Sequence, residues 1–115
     1  MKLPNAENAV VDIAKIRDYC LNPDHPEGKH KARVFLNKLG VTKNDADHLR
    51  QLILEGILVA DAKEESSITY GSRFVVDLSI SWAQEVVLST VVRTAWIIRN
   101  GEDFPRLTTC FVRKE

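Results

Sequence analysis

The stretch RFVVDLSISWAQEVVLSTVVRTAWIIR, residues 73–99, decides the fold class of this 115-residue chain. From Arg73 to Ile80 every second residue is strongly apolar, which is the pattern of a half-buried strand. A longer apolar strand is predicted from Glu85 to Arg99. Its even-numbered positions are expected to form the core face: Val86, Leu88, Thr90, Val92, Thr94, Trp96 and Ile98.

The sequence on either side extends this sheet. Asn100-Gly101 is a strong turn signal, and residues 106–112 are rich in β-forming side chains. The acidic segment from Asp61 to Ser67 is interpreted as a loop or a hairpin arm. We therefore predict an antiparallel sheet of about four strands in the second half of the chain.

The first half has helical periodicity instead. A short helix is predicted to begin at Asp12, a good N-cap residue, and to end before the prolines at positions 23 and 26. A second helix should stop at Gly40, and an imperfect capping box at Thr42–Asp45 should open a third. About three N-terminal helices packed on a C-terminal antiparallel sheet constitute a single α+β domain, residues 1–115.

Composition excludes several classes of protein. The chain has 16 basic and 16 acidic residues, so its zero net charge argues against indiscriminate coating of nucleic acid. No apolar run approaches the roughly 20 residues that span a bilayer, and the N-terminus lacks the apolar core of a signal peptide. We expect a cytoplasmic protein with no membrane association and with Cys20 and Cys110 as free thiols.

The neutral total conceals a basic helix. Residues 29–38 contain three lysines and one arginine but no acid. Within it, His30 is a candidate general base at neutral pH, and Lys29, Lys31 and Arg33 could pair with phosphate oxygens. The alternative is that all four form the solvated side of an amphipathic helix.

A second candidate group lies in the strands. Arg93 and Thr94 interrupt an apolar strand, and pairing with the last strand would bring Arg106 and Thr109 near them. The alternative is a solvent-facing arginine with structural threonines. Cys20, Asp24, His25 and His30 match no standard zinc spacing, so neither a metal nor a cofactor is predicted.

Two blocks resemble a known family: LNPDHPEGKHKARVFLNKLG at residues 21–40 and VVRTAWIIRNGEDFPRLTTCFV at residues 91–112. They are similar to a bacterial domain family that occurs as a small stand-alone protein and as the C-terminal effector module of polymorphic toxins. That module resembles the metal-independent ribonucleases of the barnase, EndoU, colicin and RelE class. The resemblance implies N-terminal helices leading into a four-stranded sheet whose open face carries the active site.

The resemblance also implies roles for individual residues. His30 would be the general base, with Lys31 and Arg93 as phosphate-binding cations and Thr94 as a positioning group. Further substrate contacts would come from Lys29, Arg33, Arg106 and Thr109. It identifies no general acid.

The resulting hypothesis is a toxin-like, metal-independent endoribonuclease that cleaves RNA by attack of the ribose 2′-hydroxyl, partnered by a cognate antitoxin or immunity protein. The alternative is a non-enzymatic interaction module of a two-gene pair that binds an acidic protein partner. A third hypothesis is a domain that binds small anions.

Overall fold

A computed structural model describes residues 1–83 and 85–113, in which the helices precede the sheet along the chain. The described elements are α1 (Ile13–Lys15), continued by a π-helical turn (Ile16–Cys20), α2 (Lys29–Leu39), α3 (Ala46–Gly56), β1 (Ala62–Glu64), β2 (Gly71–Trp82), β3 (Leu88–Arg99) and β4 (Arg106–Val112). The strands form one antiparallel sheet in the order β1-β2-β3-β4. The predicted α+β class is confirmed.

Local signals set the helix ends. A side-chain oxygen of Asp12 accepts a hydrogen bond from the Ala14 amide at 3.0 Å, as expected of an N-cap residue. Gly40 ends α2 in the left-handed conformation, with a φ of 69°. Thr42 and Asp45 form the predicted reciprocal capping box before α3. α2 begins only at Lys29, because residues 25–28 form a turn that becomes part of the candidate site.

The two faces of the sheet have different surroundings. Most even-numbered residues of β2 and β3, including Val76, Val92 and Trp96, are buried in one core with Phe35 of α2 and Ile53 of α3. Apart from Gly71 at the start of β2, the odd-numbered residues of the same strands are half-buried or exposed. The helices therefore cover one face and leave the other open.

One core prediction is wrong. Val86 is 68% exposed, because β3 begins only at Leu88, which pairs with Trp82 at the end of β2. The apolar pattern continues to Val86 and Val87, with which no described strand pairs. Among the described residues, no helix is long and apolar enough to cross a membrane.

Candidate active-site cleft

A cleft of about 570 Å³ opens where α1, the turn before α2 and strand β4 meet. Its lining brings together acidic, basic and hydroxyl side chains from segments far apart in sequence. The polar members are Asp12, Lys15, Tyr19, His25, Glu27, Lys31, Thr108 and Thr109. Of the residues selected from the sequence, Lys31 and Thr109 lie here.

Lys31 is held in place by contacts on several sides. Its Nζ donates hydrogen bonds to Tyr19 Oη at 3.1 Å and to Thr109 Oγ1 at 2.9 Å. It also lies 4.6 Å from the centroid of the Tyr19 ring and 5.6 Å from that of Phe111, as in cation–π contacts. No carboxylate of the described residues forms an ion pair with it. A fixed ammonium without a carboxylate partner is suited to binding an anion.

His25 closes the turn that leads into α2. Its Nδ1 accepts hydrogen bonds from the amides of Glu27 at 3.0 Å and Gly28 at 2.9 Å. Because Nδ1 is an acceptor, the neutral ring carries its proton on Nε2. The ring packs edge-on against Tyr19, with centroids 4.8 Å apart. His25 is therefore a fixed hydrogen-bond donor on the wall of the cleft.

Gly28 allows this turn to pack closely. A Cβ atom at this position would lie 2.1 Å from the backbone carbonyl oxygen of Tyr19. Only a residue without a side chain fits there, so Gly28 fixes the distance between the His25 turn and the π-helical turn that carries Tyr19.

Two cysteines lie beneath the cleft. Cys20 Sγ is 3.6 Å from Thr109 Oγ1 and 3.5 Å from the backbone nitrogen of Cys110, and both thiols are free. Hydrogen bonding from Cys110 is the main cause that lowers the pKa of Cys20 to about 6; Thr109 and the Lys31 charge add to it, and burial opposes it. The same hydrogen bond and burial raise the pKa of Cys110. The two shifts favour the thiolate form at Cys20 over that at Cys110.

The other predicted residues of α2 do not line the cleft. The His30 side chain is exposed and makes no hydrogen bond or ring contact with any described residue. Lys29 and Arg33 line a separate groove of about 330 Å³, which also includes Lys43. The basic helix is thus divided between two surfaces.

Arg93 lies on the open face of the sheet. Its guanidinium makes a bidentate pair with Asp77, with Nε–Oδ1 at 2.8 Å and Nη2–Oδ2 at 3.0 Å. Arg113 Nη1 approaches the same carboxylate at 2.7 Å. Pairing with Asp77 raises the pKa of Arg93 and lowers that of Asp77. The Asp77 carboxylate therefore neutralises one of the two positive charges of Arg93 and Arg113.

Thr94 lies on the opposite face from Arg93. None of its surface is exposed, and its Oγ1 donates to the Val76 carbonyl and accepts from Trp96 Nε1, both at 2.8 Å. Adjacent residues of a strand point to opposite faces, so the two cannot share a site on one face. The predicted substrate contact by Thr94 would require the core to open.

Arg106 also has a carboxylate partner. Its Nε and Nη2 atoms bind Glu102 at 3.0 and 2.8 Å, and its guanidinium lies 4.8 Å from the centroid of the Phe104 ring. The hydrogen bond to Glu102 raises the pKa of Arg106. Arg106 does not line the cleft.

Sequence reasoning missed Tyr19 and Glu27, and the only site role that it considered for Cys20 and His25 was that of a zinc ligand. Within residues 1–83 and 85–113, no three His, Cys, Asp or Glu side chains are grouped as metal ligands would be. The usable signal was the spacing between His25 and Gly28 in a proline-broken turn, since a side-chain acceptor there can cap the helix that follows.

Comparison with known proteins places the chain in a family but adds no activity. No curated protein and no solved structure matches the chain. A family model, described as a domain of unknown function (DUF6883), matches residues 2–114, and the chain belongs to that family.

Proposed function

We propose that this protein is a metal-independent endoribonuclease whose active site is the cleft around Lys31. The observation that carries the proposal is the state of Lys31: two hydroxyl groups hold its ammonium, and no carboxylate of the described residues pairs with it. The same cleft contains a carboxylate, Glu27, and a fixed imidazole, His25. Cleavage through the 2′-hydroxyl needs a base, an acid and positive charge near the phosphate.

Substrate binding follows from the charges. A phosphodiester placed at Lys31 would replace bulk water as the partner of the ammonium, and Lys15 lies in the same lining. The Nε2–H of His25 supplies a neutral donor to a phosphate oxygen, and the fixed ring needs little reorganisation to do so. These groups would stabilise the charge that develops on the phosphorane.

Proton transfer is assigned to Glu27 and Tyr19, because the other carboxylate of the cleft, Asp12, already accepts a hydrogen bond from the Ala14 amide as an N-cap. The Glu27 carboxylate removes the proton of the ribose 2′-hydroxyl, and the resulting oxyanion attacks the adjacent phosphorus. Tyr19 Oη accepts from Lys31, so its own proton is available to the departing 5′-oxygen. The P–O5′ bond breaks, and the products are a 2′,3′-cyclic phosphate and a 5′-hydroxyl.

The test is cleavage of total RNA in the presence of EDTA by the native protein and two cleft variants. Lys31→Met removes the cation, and a loss of about 100-fold or more is expected. Glu27→Gln removes the base, with an expected loss of about 100- to 10,000-fold. His30→Ala is the matched control, because His30 adjoins Lys31 in sequence but lies outside the cleft, and its rate should equal that of the native protein.

The outcomes test both the ribonuclease activity and the location of the active site. Absence of cleavage by the native protein, or equal rates in all four proteins, refutes the ribonuclease proposal. If His30→Ala loses activity and Glu27→Gln retains it, this cleft is not the active site, and the active site lies on the exposed side of α2. Circular dichroism of each variant shows whether a lost rate reflects unfolding.

A second candidate function is favoured by the groove on the other side of α2. Lys29, Arg33 and Lys43 surround an apolar floor that includes Leu36, and no acidic side chain lines it. None of the three cations forms an ion pair with a described residue. An acidic protein segment with apolar side chains would complement both features. We propose this groove as the docking site if the chain is an interaction module of a two-gene pair.

Co-purification with the product of the adjacent gene tests the second candidate. Arg33→Glu reverses one rim charge and should release the partner, whereas Lys38→Glu makes the same charge change on α2 outside this groove and should retain it. Equal retention by both variants, or no partner bound to the native protein, would rule out the groove.

A further inference from the structure

Cys20 and Cys110 are 90 residues apart in sequence and meet in the fold. Cys20 ends the π-helical turn and Cys110 lies in β4, where the Cys110 amide donates to Cys20 Sγ at 3.5 Å. Neither residue has exposed surface. The core thus contains two free cysteines that are joined by the hydrogen bond from the Cys110 amide to Cys20 Sγ.

The surroundings make the two sulfur atoms unequal. Cys20 Sγ contacts Thr109 Oγ1, which accepts a hydrogen bond from Lys31 Nζ at 2.9 Å, so a cation is one hydroxyl away. The hydrogen bonds to Cys20 and the Lys31 charge lower its pKa, whereas the neighbouring Cys20 and burial raise that of Cys110. A nearby cation favours the thiolate, so the position of Cys20 beside the Thr109–Lys31 pair makes it the better nucleophile of the two.

We propose that Cys20 and Cys110 form a redox couple, which a small hydroperoxide converts into an intramolecular disulfide. In the first step the Cys20 thiolate attacks the peroxide, the O–O bond breaks, and the sulfenic acid and an alcohol or water are formed as a proton is taken up. In the second step the Cys110 sulfur displaces hydroxide from the sulfenic acid. Its proton leaves with that hydroxide as water, and two electrons have passed from the thiols to the peroxide.

The position of the couple limits the oxidant and links it to the cleft. Thr109 lies between Cys20 and the cleft, so a small peroxide can reach the sulfur more easily than a bulky aromatic disulfide. A disulfide carries no charge, so oxidation removes the negative charge that acts on Thr109 and Lys31. The redox state of the two cysteines would then change the electrostatic environment of the Lys31 ammonium in the cleft. This inference does not depend on ribonuclease activity.

The test is oxidation of the reduced, folded, full-length chain by hydrogen peroxide, followed by an acid quench and mass spectrometry. We expect a loss of two hydrogen atoms per chain, a linked peptide pair containing Cys20 and Cys110, and reversal by dithiothreitol. Cys110→Ser should instead gain one oxygen atom at Cys20 and react with dimedone. Cys20→Ser, its matched control, should show neither change.

Three results would overturn the proposal. The first is an unchanged native mass under conditions in which the urea-unfolded chain forms the disulfide. The second is oxidation of Cys20→Ser at the native rate, and the third is gain of oxygen at Cys110 in the native chain without a linked peptide. The comparison of native and unfolded chains needs no substitution, so it decides the question even if a variant fails to fold.

Discussion

Replacement of Thr94 by valine tests whether this residue holds the core together. Valine has nearly the same shape as threonine but lacks the hydroxyl, which accepts from Trp96 Nε1 and donates to the Val76 carbonyl, both at 2.8 Å. Thr94 and Trp96 are 0% and 1% exposed, so water cannot replace the lost partner. An unsatisfied buried donor costs about 1–3 kcal/mol, and the second hydrogen bond contributes about 1 kcal/mol. Thr94→Val should therefore lower the free energy of unfolding by about 2–4 kcal/mol.

Thr94→Ser provides the matched comparison. It keeps both hydrogen bonds and removes one methyl group, with an expected loss of about 1 kcal/mol. Urea unfolding followed by tryptophan fluorescence measures both values, and the midpoint of Thr94→Val should fall by roughly 1–2 M relative to the native protein. If Thr94→Val is as stable as Thr94→Ser, the hydroxyl does not have the structural role assigned to it. Both variants should retain the native RNA-cleavage rate per folded molecule, because Thr94 does not reach the cleft.

Three further measurements test the charges and the packing. The pKa of Cys20 is lowered from about 9 in the unfolded chain to about 6 in the folded chain. Between pH 6 and pH 9 the free energy of unfolding should therefore rise by about 1.4 kcal/mol per pH unit. This contribution is lost as the pH falls through 6. Urea titrations at several pH values should show this slope in the native protein and not in Cys20→Ser; equal slopes would contradict the thiolate. Asp77→Asn should lower the free energy of unfolding by about 1–2 kcal/mol, measured by urea unfolding, because Arg93 and Arg113 lose a partner that is 29% exposed; an unchanged midpoint would show that the pair is fully screened. Gly28→Ala places a Cβ against the Tyr19 carbonyl oxygen and should lower the free energy of unfolding by about 1–3 kcal/mol. Thermal unfolding measures the effect, and an unchanged midpoint would mean that the two turns move apart without strain.

The sequence predicts the elements well because their signals are local. Asp12 and Gly40 act within one turn of the helices that they bound, and the period of two in residues 73–80 depends only on neighbouring side chains. Val86 shows the limit of such signals. Its position fits the apolar alternation, yet pairing of Trp82 with Leu88 assigns the residues between them to the connection. Periodicity shows which face a strand residue takes, whereas partner strands decide where the strand begins.

The candidate site was predictable only in part, because its contacts join distant segments. Lys31 and Thr109 were both selected from the sequence, but their hydrogen bond spans 78 positions and requires the finished packing of α2 on β4. The approach of Cys20 to Cys110 has the same origin. Thr94 was predicted both as a core position and as a site residue, and the alternation along β3 was the better guide. His25 was missed because a cap made by an imidazole nitrogen has no periodic pattern.

The geometry of α2 explains why its basic residues do not form one patch. Successive residues of an α-helix are rotated by about 100°, and the buried stripe consists of Ala32, Phe35 and Leu39. His30 lies opposite this stripe and meets solvent. Lys31 flanks the stripe on the side of β4, whereas Lys29 and Arg33, four positions apart, flank it on the other side and share a groove. The basic segment therefore supplies one fixed cation to the cleft and two cations to the groove. Substitutions two residues apart can thus test the proposed catalysis and the proposed partner binding separately.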